Sequence, residues 1–260
     1  MQDDITLWNG DCLELMKDIP DASVDLILTD LPYGMLARSS NGGQWDNIIP
    51  PDKLWEQWKR IRKPHAAIVL FAQGMFTATM MMSNTREWRF NLIWDKVSSG
   101  GFLDANRRPL RRHEDIIVFC GKGYTTYNPQ FSQRTGKRRG ARVQHAKVKN
   151  NCYGKMNGFI QTEKEGKYPT SIIRVARDPS TFIKRHPTQK PVALMEYLIR
   201  TFSNPHDTVL DCCMGTGATG VACKLSDRKF IGIEQSPVYF QTATERISLT
   251  LAFHEDETNK

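Results

Sequence analysis

Long apolar runs are missing from this sequence. The longest, Ala66 to Ala72, has the length of a buried strand and falls well short of the roughly 18 residues that cross a membrane. The opening MQDDITLWNGD is acidic and has no apolar core, which argues against a secretory leader. Also missing are a Cys-x-x-C pair and a His-Glu-x-x-His. Cys12, Cys120, Cys152, Cys212, Cys213 and Cys223 are scattered, so ligand-spacing rules give no zinc site and no metal is expected. Without an export signal, their even number is read as reduced thiols in a cytoplasm rather than as disulfides. No internal repeat is found. What is there is a globular composition, 40% hydrophobic and 25% charged over 260 residues. That length suits one large domain, or one domain carrying a smaller insert.

The net charge of +8 is local in origin. Arg107, Arg108, Arg111, Arg112, Lys122, Arg134, Lys137, Arg138, Arg139, Arg142, Lys147 and Lys149 lie in one window, opposed within it only by Glu114 and Asp115. The window is +10 and the rest of the chain is −2. A basic stripe on a near-neutral body is the footprint of a polyanion binder. Tyr124, Tyr127, Phe131 and His145 add faces that could stack on bases. A solvated basic loop without a partner is the plainer alternative. Six or more phosphate contacts would cut affinity on the order of a thousandfold between about 50 and 200 mM salt.

Strand-like and helix-like segments alternate at both ends of the chain. Strands are expected at Ile5–Trp8, Val24–Thr29, Ala67–Ala72, Phe90–Trp94, Ile116–Cys120, Thr208–Leu210 and Phe230–Ile233. Helices are expected at Cys12–Ile19, Leu54–Ile61 (ended by Pro64), Phe76–Met82, Pro191–Phe202, Val221–Leu225 and Val238–Leu251. The methionines of the third helix read as core filler. From Gly121 to about Lys184 the periodicity fades, and so long an irregular stretch reads as a separate functional lobe. The pattern implies an α/β fold with a parallel sheet interrupted by an insert. Its parts are residues 1–120, a basic insert at 121–184, and residues 185–260.

Two turns carry chemistry. Gly215-Thr216-Gly217-Ala218-Thr219-Gly220 fits G-x-G-x-x-G between a strand and a helix, with Glu234 nineteen residues after Gly215. A tight turn lets the backbone approach a ligand, and the carboxylate stands at ribose-hydroxyl distance. The motif points to an adenosine-type cofactor. It does not separate a nicotinamide dinucleotide from S-adenosylmethionine, and it lies unusually late in the chain. Thr29-Asp30-Leu31-Pro32-Tyr33-Gly34 follows the strand Val24–Thr29. An exocyclic amine on a base is a poor nucleophile because its lone pair is delocalised into the ring. A carboxylate from Asp30 and a carbonyl from Leu31 or Pro32 would hold its N–H groups and favour the charge that develops on nitrogen. Tyr33 offers a stacking face and Pro32 fixes the backbone. The base would have to leave its duplex, at a cost of a few kcal/mol.

The order of these features resembles that of the β-class DNA amino-methyltransferases, S-adenosylmethionine-dependent enzymes that modify adenine N6 or cytosine N4. The resemblance is carried by Asn9-Gly-Asp11, Ser23-Val-Asp-Leu26, Asp30-Leu-Pro-Tyr33, His186-Pro-Thr-Gln-Lys-Pro191, Asp211-Cys-Cys-Met-Gly-Thr-Gly217 and Phe230-Ile-Gly-Ile-Glu234. It covers most of the chain outside 121–184. It implies a Rossmann-like methyltransferase fold with circularly permuted motif order and an inserted target-recognition region. By the same resemblance, Asp30, Pro32 and Tyr33 are catalytic. Asp11, Asp30, Thr188, Lys190, Asp211, Gly215, Gly217, Thr219 and Glu234 surround the cofactor, with Thr188 and Lys190 toward its carboxylate. Arg107, Arg108, Arg111, Arg112, Arg134, Lys137, Arg138, Arg139 and Arg142 face double-stranded DNA.

Two departures stand out. Leu31 occupies a position that is usually Pro, and Cys212-Cys213 replaces Pro-Phe, which removes an apolar contact with the cofactor. Both cysteines are read as small buried residues, since an amine attacks the methyl group directly and needs no thiol nucleophile. By the same resemblance, Asp30 at the first tetrapeptide position, where the cytosine-N4 enzymes more commonly have Ser, favours adenine N6 over cytosine N4. The resemblance is compatible with a homodimer and a companion restriction endonuclease in a cytoplasm, neither of which any stretch demonstrates. Two other classes remain at this stage. A nicotinamide-dependent oxidoreductase would leave the basic insert and Asp30-Leu-Pro-Tyr33 unexplained. A DNA-binding relative without turnover is kept in view by Leu31 and Cys213.

Overall fold

The computed structural model describes residues 4–34, 46–121, 123, 125–133, 149–150, 154–155, 166–178 and 189–257. Contacts divide the chain into two units, residues 1–128 with 170–260, and residues 129–169. The first unit is built on one sheet. Its strands are β1 (Ile5–Asn9), β2 (Val24–Thr29), β3 (Arg62–Ala72), β4 (Trp88–Gly100) and β5 (Arg111–Cys120), followed after the second unit by β8 (Ile172–Arg174), β9 (Thr208–Asp211) and β10 (Lys229–Glu234). The second unit contributes the short pair β6 (Lys149–Asn150) and β7 (Gly154–Lys155). The helices are α1 (Cys12–Leu15), α2 (Pro51–Ile61), α3 (Met75–Ser83), α4 (Val192–Phe202), α5 (Ala218–Leu225) and α6 (Pro237–Glu257).

The sheet order is β1-β10-β9-β2-β3-β5-β4-β8. Pairing is parallel from β1 through β3 and between β4 and β8, while β5 runs antiparallel to both of its neighbours. The sheet is therefore mixed, not wholly parallel as the alternating pattern implied. The reason is the short connection from β4 to β5, which is too brief for a crossover helix and so returns the chain antiparallel.

Strand alternation divides the core between the two faces. Leu26, Leu28, Ala67, Val69 and Phe71 face a layer formed by α4, α5 and α6, in contact with Leu194, Leu198, Val221 and Ile247. Ile27, Ile68 and Leu70 face the other way, against Met16 beyond α1, Trp58 of α2 and Met80 of α3. Helix α2 shows the local logic. Pro51 sits at its start, where no N–H is needed, and Asp52 lies in its first turn. Leu54, Trp55, Trp58 and Ile61 form its buried stripe.

Several local expectations are corrected. The first helix closes at Leu15 and continues as a 3-10 turn over Met16–Asp18. Pro64 does not end α2; it lies within β3, where the register against β2 shifts and the ladder is interrupted. Of the methionine run, Met80 is buried, whereas Met82 and Met75 are exposed, so only part of it fills core. Residues 172–174 lie within the span assigned to the irregular lobe, yet they join the main sheet. Ile93 donates its N–H to Ser171, and the Trp94 indole donates to the Val175 carbonyl at 2.8 Å. In the second unit, Ser132 bridges to Lys167, and Phe131 packs edge-on against Tyr168 at 4.8 Å.

The order of the strands sets the position of a site. From β9 the chain passes through α5 to β10 on one side. From β2 it passes through α2 to β3 on the other side. The crevice beyond the carboxyl ends of β2 and β9 is thus a topological switch point, where open α/β sheets bind ligands.

Candidate active site

Both chemistry-bearing turns open into that crevice. Leu26 pairs with Val209 and Ile27 with Leu210, which aligns the ends of β2 and β9. Asp211 closes β9 and is buried. Its carboxylate accepts from the Thr29 hydroxyl at 2.8 Å, the Cys213 N–H at 3.1 Å and the Thr219 hydroxyl. Burial raises its pKa to about 6, partly offset by these donors. Asp211 and the buried Thr219 therefore shape the loop from within. Gly217 takes a left-handed conformation at φ +77°, and a Cβ there would lie 3.0 Å from the Ala243 side chain. Gly215, at φ +53°, borders open space, and its N–H donates to Glu234 Oε2 at 2.9 Å.

Glu234 ends β10, and its other oxygen accepts from the Ser236 N–H at 2.8 Å. Burial raises its pKa. Two N–H bonds leave about half of a carboxylate's acceptor sites for a ligand. Beside it, the Gly10 N–H donates to the Glu234 carbonyl, which ties β1 to the same rim. Asp11 caps α1 by accepting from the Leu13 N–H at 2.7 Å. The thiols of Cys12, Cys212 and Cys213 meet just beneath. Hydrogen bonding from Cys212 and Cys213 lowers the Cys12 thiol, and the same contacts raise its two partners. Cys212 is buried as expected, while Cys213 is only half-buried.

Asp30 stands across the crevice from this loop. The Tyr33 hydroxyl donates to Asp30 Oδ1 at 2.7 Å, and the Lys190 ammonium donates to Oδ2 at 2.5 Å. Leu31 is buried, so it acts through backbone position and core contact. The Tyr33 ring stacks on Phe76 at 5.0 Å, and its pKa is raised by burial and by the nearby carboxylates. The N–H groups of Tyr33 and Gly34, beyond Pro32, both donate to the buried Asp46, which pins the turn.

By resemblance Lys190 is expected toward a cofactor carboxylate; in this structure its ammonium bridges Asp30 and Glu114, lying 3.2 Å from Glu114. Glu114 also pairs with Lys96. Burial alone would lower the Lys190 pKa, but the two carboxylates outweigh it and raise it. Glu114 is lowered because the two ammonium groups outweigh its burial, and Lys96 is lowered by burial against the pull of Glu114. Thr188 lies outside the described residues, while the neighbouring Gln189 accepts from the Thr216 hydroxyl at 2.9 Å.

A family model described as DNA methylase matches residues 24–245, most of the chain. The chain belongs to the N6/N4 DNA methylase family. Type II methyltransferase M.HinfI of Haemophilus influenzae is 31% identical over 93% of this chain and 68% of its own length. DNA adenine methyltransferase YhdJ of Escherichia coli (strain K12) is 28% identical over 98% of this chain and 86% of its own. Among solved structures, the M1.HpyAVI–SAM complex superposes with a TM-score of 0.62 at 25% identity, covering 93% of this chain and 99% of that one.

The basic residues of this DNA methylase separate into two groups. Arg134, Lys137, Arg138, Arg139 and Arg142 lie outside the described residues. Arg107, Arg108, Arg111 and Arg112 are described, and three of them meet acids outside the basic window. Arg112 forks onto Asp95 at 2.7 and 3.1 Å, while Arg108 and, at 4.0 Å, Arg107 reach Asp104. A count taken along the sequence therefore overstates the free charge at this end. Arg108, Arg111, Lys96 and Arg177 line an open pocket of about 260 Å³ that also contains Gln73 and Glu114. Through Glu114, this cationic pocket adjoins Lys190 and Asp30. Sequence reasoning in this DNA methylase missed Glu114, Lys96 and Asp46. Glu114 lies in the charge-rich Arg111–Asp115 and Lys96 follows Asp95, and no local signal marks either as shielded from solvent.

Proposed function

We propose that this chain methylates the exocyclic N6 of adenine in double-stranded DNA. The observation that carries the reading is the carboxylate of Asp30 held at the switch point, across from the loop 211–217. S-adenosylmethionine is the cofactor, and its sulfonium supplies an electrophilic methyl group. The residues present suit it. Gly215 borders open space, Glu234 keeps acceptor sites for ribose hydroxyls, and Asp11 keeps one oxygen outside its capping bond. Asp211, Thr219 and Gly217 hold the loop's shape.

Asp30 orients the target amine. A carboxylate has about four acceptor sites, and two are taken by Tyr33 and Lys190, so one amino N–H can be accepted without breaking either bond. That bond and a carbonyl of the Asp30–Tyr33 turn fix the nitrogen and stabilise the positive charge that forms on it. The surplus proton then leaves the amine toward Asp30 or solvent. Lys190 is read as the counter-charge that keeps Asp30 an acceptor. Pro32 and the Asp46 bonds hold Tyr33 beside the base. The pocket of Lys96, Arg108, Arg111 and Arg177 suits a phosphate flanking the flipped nucleotide. The basic segment at 121–184 is read as the target-recognition region, and the late cofactor loop as a circular permutation of motif order.

Adenine is preferred over cytosine because Asp, rather than Ser, opens the tetrapeptide. The adenine specificity in the name of the relative YhdJ supports the same choice. Incubation with labelled S-adenosylmethionine and unmethylated DNA, followed by digestion and mass spectrometry of the nucleosides, tests this. N6-methyladenine is expected. N4-methylcytosine alone would overturn the adenine assignment, and absence of label with cofactor bound would overturn the activity.

A further inference from the structure

Three thiols converge, two from within the loop 211–217 and one at the start of α1, and the methyl-transfer chemistry uses none of them. The Sγ atoms of Cys12, Cys212 and Cys213 all lie within 4.8 Å of one another. All three are free thiols. We propose that Cys12, Cys212 and Cys213 form a binding site for a thiophilic d10 cation of the zinc(II) class.

The geometry suits such an ion. Zinc–sulfur bonds of about 2.3 Å in a tetrahedron put sulfur atoms about 3.8 Å apart. The observed separations, none above 4.8 Å, are close to that spacing. Its backbone is held independently of any metal. Asp11 caps the helix that Cys12 begins, and Cys212 and Cys213 follow directly on β9, where Asp211 is fixed by Thr29 and Thr219. Cys12 and Cys212 are buried, and the half-buried Cys213 leaves a way in.

Ligand chemistry narrows the ion. Three sulfur donors select soft or borderline cations over magnesium or calcium, which take oxygen. No fourth His, Cys, Asp or Glu completes the group among the described residues. Three protein ligands therefore bind, and a water takes the fourth position. On binding, each thiol gives its proton to solvent and its sulfur forms one bond to the cation. A divalent ion thus yields a complex of charge −1 and three released protons, fewer where a thiol is already ionised. Spacing rules look for ligands close in sequence and do not see this trio, which is joined by the pairing of β1 with β10 and of β10 with β9.

The test uses the full chain under anaerobic, reducing conditions, with cadmium(II) as spectroscopic probe and zinc(II) as competitor. A sulfur-to-cadmium charge-transfer band saturating at one ion per chain is expected, with proton release and displacement by zinc. Cys213→Ser should weaken binding at least tenfold, since even outer-shell partners of metal ligands cost about 10- to 100-fold. Cys120→Ala should leave it unchanged. Circular dichroism confirms that each variant is folded. Independently of any variant, zinc should slow alkylation of Cys213 in the unaltered chain. No band, equal affinity in folded Cys213→Ser, or alkylation of Cys213 indifferent to zinc would each overturn the site.

Discussion

Asp30 and Asp211 end neighbouring strands on the same rim of the sheet, yet they are held in opposite ways. Asp211 is buried and surrounded by neutral donors: two threonine hydroxyls and one backbone N–H. Asp30 is partly open to the crevice and faces a buried ammonium. The comparison separates building from chemistry. A carboxylate whose oxygens are claimed from within the loop fixes that loop's shape. A carboxylate with spare acceptor sites and a counter-charge beside it is free to engage a substrate.

The sharpest way to break this comparison is Asp30→Ala. Loss of a preorganised group that stabilises developing charge typically costs 10²–10³ in rate, so turnover should fall roughly a thousandfold. Denaturant stability should fall as well, because the buried Lys190 ammonium then keeps only Glu114 and the Tyr33 hydroxyl loses its acceptor, so stability and cofactor binding establish that the variant is folded. They are measured alongside turnover, and a methylation rate close to the original would remove Asp30 from the reaction.

The next largest effect belongs to the charge that balances Asp30. Glu114→Gln strips the shared carboxylate from Lys96 and Lys190, both buried. Removing one partner from a buried ion network typically costs about 3 kcal/mol or more, because it strands the charges that remain. Urea denaturation should register that loss. The double variant Glu114→Gln/Lys96→Met should recover part of it, since one stranded ammonium is gone. A Glu114→Gln chain as stable as the parent would mean that water already reaches this network.

The contrast between these regions also marks what the sequence discloses. The switch-point turns were legible because their signals are local: a six-residue glycine pattern, an Asp-Leu-Pro-Tyr turn, and strands such as Val24–Thr29, whose apolar Leu26-Ile27-Leu28 is buried on both faces of the sheet. Glu114 was not legible. It lies in Arg-Arg-His-Glu-Asp, which reads as solvent-facing. Its place on β5, opposite Trp94 of β4, largely shields it. Arg112 and Arg108 failed in the other direction. Their charge was counted as free because Asp95 and Asp104 lie just outside the basic window. Lys190 was placed by resemblance toward the cofactor. Its position between Asp30 and Glu114 depends on contacts 160 and 76 residues away in sequence.

The smallest expected effect probes the building side of the comparison, through Thr29→Val. The change keeps the shape of the side chain and removes one donor from Asp211. Because burial raises the Asp211 pKa in the folded chain from 3.8 to about 6, the folded state holds this proton more tightly than the unfolded state. Its contribution to stability is therefore greatest at low pH and declines as pH rises from about 4 through about 6. Removing the Thr29 hydroxyl takes away a bond that favours the ionised form, so the Asp211 pKa should rise further. The cost of Thr29→Val should then depend on pH. Near pH 8, with Asp211 ionised, it should approach about 1.5 kcal/mol, as for a hydrogen bond to a charged group. Near pH 5, with Asp211 largely protonated, it should shrink toward about 0.5 kcal/mol, as for a neutral pair. Urea midpoints of the two chains across that range measure the difference, and a gap that stays constant with pH would show that Asp211 does not titrate there.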